Sequence, residues 1–597
     1  ANIVGDRTIP TTLPAASPAV PESRQPRSLN GNCTQPAMAQ TSRTTEIFQP
    51  KIISCLREGY GLDRLGRDAM AGLTVAIVAL PLSMAIAIAS GASPEKGLYT
   101  AIVGGFLISL LGGSRNQIGG PAGAFIVLVA AVIEKHGYDG LLIATMMAGA
   151  MMIALGAFRL GTLIRYIPEP VIIGFTAGIA VIIFASQLRD ILGLTLAGKD
   201  PAALLPKLAA LWSALPTFNP YALGVAALAF ALIKGAQFTR PAYPGFLVAV
   251  VGTALLAHLL DLPVETIGSR FGGVPSSLPA PELPPFSLAK VSAVFPDAAA
   301  IALLGSIESL LSAVVADSMT GNRHRSNTEL IAQGVANIGS AAFGGLCATG
   351  TIARTATNVR AGGTSPVAGI LHALFLLAAM MLAAPLMAKI PLAALGALLG
   401  VVAWNMAEKH TFAAFLRGNR AEAAVLLITF LLTVFRDLTE GILSGVLLGA
   451  VLFAVRMARL AEVSMRMDLI EEDGENGDSP LEARDLMVFR LEGPLFFGTA
   501  PDLQDVLGRV GAKPKIVIFD FRSVPFIDAT GVAALERHVA HSEKSGARVL
   551  FSGVTPLVAR ELDHFGLPET RVVRASSVRK AYERALSDAD GVSPAAA

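Results

Sequence analysis

Charge is what this sequence is short of. Only 15% of its 597 residues are Asp, Glu, Lys or Arg, against roughly 25% in soluble chains. With 53% hydrophobic residues and 58 glycines, the shortage excludes a chain that is water-soluble from end to end. Most of it belongs in a membrane. Cysteine is scarce too. Cys33, Cys55 and Cys347 are an odd number without metal spacing, which excludes a disulfide framework and a thiolate metal site and leaves free thiols. The net charge of +2 excludes the strongly basic surface of a nucleic-acid binder. There is no nucleophile–base set, nucleotide-binding loop or His/Cys metal spacing. The sequence therefore carries none of the marks of an enzyme and implies no cofactor.

What is present is a long series of apolar runs. They read as spans over 69–90, 97–111, 121–134, 140–157, 168–188, 221–236, 244–261, 296–316, 328–343, 351–359, 365–388, 391–406, 421–435 and 440–457. Several are too short for a hydrocarbon layer roughly 30 Å thick. Alternating the spans from a cytoplasmic N-terminus puts Arg115, Arg159, Arg165, Arg323, Arg325, Arg360, Arg417 and Arg456 in inner loops. That bias predicts an even number of spans with both termini in the cytoplasm. Residues 1–50 are rich in Pro, Ser and Thr, lack a signal-peptide pattern and are expected to be a disordered tail. Residues 51–465 form the membrane part and 466–480 a charged linker. Residues 481–590 alternate strand-like runs (KIVIFDF, ARVLFSG) with amphipathic helical runs, and 591–597 are a short tail. That alternation predicts a small cytoplasmic α/β domain.

Two stretches interrupt the apolar pattern in corresponding places. In GGSRNQIGGPAGAFIVLVA, residues 112–130, Gly119, Gly120 and Pro121 cannot continue a helix, and Pro121 suits the first turn of a new one. In GGLCATGTIARTATNVRAGG, residues 344–363, small residues lead into a short helical run starting near Thr349–Thr351. Paired, Gly/Pro-interrupted segments in two halves of a membrane chain point to a transporter site. A helix start carries unsatisfied N–H groups and about half a positive charge, so two facing starts suit an anion. Arg354, in the first turns of the second helix, adds a full charge. For any single glycine, close helix packing is the plainer explanation.

One acid lies inside the apolar run GSIESLLSAVVADSMTG: Glu308, with Ser312 four residues on and on the same face. An ionisable group in a membrane helix costs roughly 3 kcal/mol or more. Either it pairs, with Arg354 for instance, to hold helices together, or it titrates or binds a cation as part of the function. Asp317 with Arg323, His324 and Arg325 reads as a solvated inner loop.

These residues resemble the SulP anion-transporter (sulfate permease) family. The segments GLYTAIVGGFLISLLGGSRNQIGGPAGA, IESLLSAVVADSMTGNRHRSNTELIAQGVANI and GTIARTATNVRAGGTSP carry the likeness, and the C-terminal part resembles a STAS domain. The resemblance covers about residues 50–590. It implies a multi-span α-helical membrane protein of fourteen segments in two inverted seven-segment repeats. Segments 1–4 and 8–11 form a core domain, and segments 5–7 and 12–14 a gate, between which the core moves like an elevator. It implies a homodimer in lipid, in a bacterial inner membrane. Residue by residue, the third segment starts at Pro121 and continues through Ala122, Gly123, Ala124 and Phe125. The tenth starts at Thr349, Gly350 and Thr351, with Ala353–Arg354 as the family's Ser/Ala–Arg pair. Glu308 and Ser312 hold the positions that bind sodium in sodium-coupled members, where Asp is often found at the first; Glu at 308 points to protons instead. The wording of VVAWNMAEKH and ADSMTGNRHRSNTEL is closest to the bacterial branch that transports C4-dicarboxylates such as succinate and fumarate. A sulfate or bicarbonate transporter, an uncoupled channel or exchanger, and a nucleobase symporter are the alternatives. The STAS loop reads Asp528–Ala529–Thr530–Gly531, in which Ala529 replaces the phosphorylatable Ser of signalling relatives. The domain is expected to bind an unidentified cytoplasmic partner without that switch, and Asp528 also reads as a helix N-cap.

Overall fold

Glycine or proline stands at one end of most helices in the membrane part. The computed structural model describes residues 48–162, 168–198, 200–239, 245–436, 438–459, 462–465, 486–500 and 514–587. The expected N-terminal tail (apart from its last residues), the linker and the C-terminal tail lie outside the described residues. A short helix α1 (Lys51–Arg57) precedes the apolar rod α2 (Leu62–Ala89). The next rod is assembled from α3 (Pro94–Tyr99), a π-helical turn (Thr100–Gly104) and α4 (Gly105–Leu111). Then come an extended segment containing strand β1 (Gly119–Gly120), a 3-10 turn (Gly123–Phe125) and α5 (Ile126–Ala157). The expected spans 121–134 and 140–157 are joined in α5 and separated by a bend at Gly137, whose φ of 70° and ψ of −178° suit only glycine. Helices α6 (Glu169–Leu192), α7 (Leu204–Ser213), α8 (Pro220–Thr239), α9 (Gly245–Leu259) and α10 (Ile267–Phe271) complete the first half.

The second half repeats the order. Helices α11 (Leu288–Thr320) and α12 (Ser326–Ala342) lead to strand β2 (Thr349–Gly350), the short helix α13 (Ile352–Arg360) and α14 (Val367–Met387). Helices α15 (Leu392–Met406), α16 (Lys409–Arg417), α17 (Arg420–Phe435) and α18 (Leu438–Ala458) follow. Among the described residues, seven helical stretches are long and apolar enough to cross a membrane by length and composition alone. The remaining crossings are short or broken, which is why hydropathy by itself undercounts them.

The helices pack as two bundles. In one, α5 packs along α11 and α12 while α14 packs along α2 and α4, so each half fills the other. In the other, α6 packs on α15 and α17, α17 on α18, and α8 on α9 and α15. The thinner seam between the bundles is made by α2 against α9 and α15. These groupings are the core and gate of the expected inverted-repeat fold. The two strands β1 and β2, one from each half, pair antiparallel at the centre of the core bundle.

The C-terminal domain is a five-stranded sheet in the order β3 (Glu462–Met465), β4 (Leu486–Glu492), β5 (Ile516–Ser523), β6 (Arg548–Ser552) and β7 (Val573–Ala575). Strand β3 is antiparallel to β4 and the others are parallel. Strand β3 lies upstream of the expected linker, so the sheet takes its first strand from the membrane side of that boundary. Strand alternation divides the interior. Phe489, Phe519, Phe521 and Phe551 pack with α19 (Ala529–Lys544) and α20 (Pro556–His564). On the opposite face, Val488, Ile518 and Leu550 pack with α21 (Val578–Ser587).

Candidate functional site

The two broken segments meet. Gly119 pairs with Gly350 and Gly120 with Thr349, and the Thr351 N–H donates to the Ile118 carbonyl at 3.2 Å. Paired strands lie about 4.8 Å apart, and each runs within a few residues into a helix start. Because the pair is antiparallel, the two helices leave in opposite directions and their amide-rich ends face one another. Chain reversal between the halves thus brings Pro121, Ala122, Gly123, Ala124 and Phe125 to Thr349, Gly350, Thr351, Ala353 and Arg354.

The first helix starts later than its sequence suggests. Pro121 is not helical and Ala122 is extended, at φ −113° and ψ 146°, so the first helical turn is the 3-10 turn at Gly123. Pairing of β1 with β2 holds the chain extended past Pro121, so its helix-ready φ is used to leave the strand rather than to open the helix. On the other side, Thr351 is the N-cap residue of α13, as expected. Its hydroxyl makes no cap bond and is buried without a partner.

Arg354 is 2% exposed. Its Nη1 donates to the Gly119 carbonyl at 3.1 Å and its Nη2 to Ser83 Oγ, on α2, at 3.0 Å. Nε has no partner. The guanidinium lies against β1: a Cβ added at Gly120 would sit 1.8 Å from Nη1. Gly120→Ala is therefore expected to displace the guanidinium and reduce anion uptake at least tenfold, with little change in the yield of folded protein. Initial uptake rates in proteoliposomes, beside size-exclusion profiles of the purified variant, check this.

Helix α11 lays one face along the site, at Gly305, Glu308, Ser309 and Ser312. Thr349 Oγ1 donates to the Gly305 carbonyl at 3.0 Å, and Ser312 Oγ donates to Thr355 Oγ1 at 3.0 Å. Ser309 Oγ accepts from Gln117 Nε2 at 2.8 Å. Glu308 is different. Its Oε2 is buried and accepts no hydrogen bond. Among the described residues no ion pair joins it to Arg354, although the two charges are close enough to act on one another. Paired closely, they would only cement the helices; apart, they leave an unpaired carboxylate within electrostatic reach of the guanidinium. The gate reaches this point too: a Cβ at Gly123 would come within 3.3 Å of Met406 Sδ, at the end of α15.

Several residues that build the site escaped the sequence reading. Ser83 and Gln117 hold Arg354 and Ser309. Asn337, fully buried on α12, donates to the Ala348 carbonyl at 2.8 Å and accepts from the Ala348 N–H at 2.9 Å, so its amide takes the place of a strand beside β2. Glu329, also fully buried, accepts from the N–H groups of Gly113 and Ser114 at 2.8 and 3.1 Å and from Gln333 Nε2 at 2.8 Å. Asp68, on α2, answers it from the other half by accepting from the Thr364 N–H at 2.6 Å and the Tyr60 hydroxyl at 2.8 Å. Ser83 and Asn337 stood out as polar side chains among apolar neighbours, whereas Gln117, Glu329 and Asp68 sit among other polar residues and gave no such sign. Asp317 pairs with His324 at 2.7 Å, in keeping with a loop role.

In the C-terminal domain, Asp528 is the N-cap of α19: Oδ1 accepts from the Gly531 N–H at 2.8 Å and Oδ2 from the Phe497 N–H at 3.1 Å. Ala529 and Thr530 open the helix and are exposed. Burial keeps His538, on the same helix, below the usual imidazole range, with nearby His541 adding to the effect.

Comparison with known proteins places the chain in a family. The sulfate permease family profile matches residues 65–429 and the STAS domain profile residues 480–579. The putative sulfate transporter YvdB of Bacillus subtilis is 39% identical over 499 residues, covering 83% of this chain and 93% of that protein. The bicarbonate transporter BicA of a Picosynechococcus species is 31% identical over 524 residues, covering 84% and 90%. In fold, the chain superposes on the overall structure of SLC26A9 with a TM-score of 0.81 at 18% identity, over 95% of this chain and 98% of that one. The chain belongs to the sulfate permease family of membrane anion transporters and carries a STAS domain after its membrane part.

Proposed function

We propose that the chain is a secondary active transporter that takes up a small anion together with a proton, by moving its core bundle against its gate. The observation that carries this reading is the meeting of two helix starts beside Arg354, with the unpartnered Glu308 Oε2 buried within electrostatic reach of that arginine. The helix starts and the guanidinium hold the anion. Glu308 carries the proton. Glutamate at 308, where sodium-coupled relatives often carry Asp, favours a proton over sodium. The thin seam between the bundles supports an elevator motion, and the Lys/Arg-rich loops favour both termini on the cytoplasmic side of a bacterial inner membrane. A homodimer with a STAS domain that binds a cytoplasmic partner through its exposed Ala529–Thr530 end completes the reading.

A sulfate or bicarbonate ion fits the single guanidinium, and relatives are named for both ions. A C4-dicarboxylate is the second reading, supported by the second helix start, which offers its other carboxylate a separate set of N–H donors. A competition panel of sulfate, bicarbonate, succinate, fumarate and chloride in proteoliposomes separates them.

Glu308→Gln tests the coupling. With an inward proton gradient, wild-type uptake is expected to exceed uptake without one several-fold. The variant is expected to transport at one rate with or without the gradient, because Gln cannot release a proton. Equal gradient dependence in both proteins would remove Glu308 from the coupling role.

A further inference from the structure

Away from the anion site, α2, α9 and α14 leave a groove of about 420 Å³ between the core and gate bundles. This is within the range of small-molecule sites, roughly 300–1,000 Å³. Its walls are apolar: Leu80 and Pro81 from α2, Val250 and Ala254 from α9, and Phe375 and Ala379 from α14. Beside it Val251, Leu255, Leu382 and Leu386 are more than half exposed. Apolar area of this kind is tolerated where hydrocarbon covers it. The groove has one polar end. There Lys389 Nζ lies 3.0 Å from His258 Nε2, both residues line the groove, and among the described residues neither pairs with a carboxylate. This end follows the last turns of α9 and α14, the ends away from the Arg360 loop.

The geometry points to a site for one anionic phospholipid, with an acyl chain in the groove between the moving and fixed bundles and its phosphate on Lys389 and His258. The occupant is a lipid rather than a soluble anion because the cation is reached along an apolar trough. It is an anionic lipid because the one charged feature is an uncompensated ammonium. A bound chain spans the seam, so its presence resists or favours sliding of the core without touching the transported anion.

The full-length protein with Trp212 and Trp404 replaced by Phe, and with Leu255→Trp as the sole tryptophan, reports on the site. It is placed in nanodiscs of phosphatidylcholine containing increasing fractions of brominated phosphatidylglycerol, or of brominated phosphatidylcholine at the same fractions. Quenching by the anionic lipid is expected to reach half its limit at a mole fraction at least threefold lower than quenching by the zwitterionic one. Lys389→Gln should abolish that difference and Lys389→Arg should keep it. Ala254→Phe, which fills the groove, should reduce by one the phospholipids retained per protomer in native mass spectrometry. Equal quenching by the two lipids, a preference that survives Lys389→Gln, or unchanged retention in Ala254→Phe would overturn the assignment. None of these readouts involves transport, so the result is independent of the anion-site reading.

Discussion

Replacing Arg354 by alanine is expected to lower anion affinity by about 100-fold. The guanidinium is 2% exposed, and two of its nitrogens already donate, to the Gly119 carbonyl and to Ser83 Oγ. It is thus a fixed charge, whose orientation costs nothing further when the anion arrives. Removing one member of a buried, hydrogen-bonded charge pair costs about 2–5 kcal/mol, and about 1.4 kcal/mol corresponds to a factor of ten. A middle value near 3 kcal/mol gives the factor above. Lysine should not rescue, since an ammonium cannot reach both Gly119 and Ser83 in one plane while facing the helix starts. Ser83→Ala keeps the charge and loses one tether, so its loss should be smaller, about tenfold. Equilibrium binding of labelled sulfate and bicarbonate to the purified protein measures all three variants. If Arg354→Ala binds as tightly as the wild type, the arginine only stitches β1 to α2, and the helix starts alone must hold the anion.

The sequence made the breaks legible because they depend on local chemistry. Glycine and proline cannot be read as helix interior, and their recurrence at 119–121 and 344–350 predicted two helix starts within a few residues of where they lie. Glu308 was legible for a similar reason, as a charge in an apolar run. What local chemistry could not give is the partnership between the halves. Nothing near Gly119 says that Gly350 pairs with it, and nothing near Arg354 says that Ser83, 271 residues away, receives its hydrogen bond. The shift of the first helix start from Pro121 to Gly123 has the same origin, because a non-local strand pair overrode a local preference. Glu329 was missed because it stands three residues after Ser326, at the start of a helix, where an acid reads as favourable local electrostatics. Its actual partners, Gly113 and Ser114, come from the other half of the chain.

That partnership makes Glu329 the position whose loss should damage the fold most. Its carboxylate satisfies two backbone N–H groups in the turn leading to β1, together with Gln333 Nε2. Glu329→Ala removes the acceptor and leaves these three donors, and the Ser309 hydroxyl 3.4 Å away, in a space that is closed to water. Each orphaned buried donor costs roughly 1–3 kcal/mol, so the variant should lose about 3 kcal/mol or more and unfold several degrees lower in detergent. Glu329→Gln retains one acceptor oxygen and should fall between. The exposed pair Arg436–Glu440 supplies the control: Glu440→Ala removes a surface ion pair worth less than about 1 kcal/mol and should leave the unfolding midpoint in place. Thermal unfolding followed by fluorescence, with and without saturating anion, separates stability from binding. Because the 112–114 turn positions β1, and β1 positions Arg354, the residual folded Glu329→Ala protein should also gain less stabilisation from the anion than the wild type does. If its midpoint matches that of Glu440→Ala, the two halves must be held in register by the β1–β2 pair and Asp68 without the Glu329 clasp.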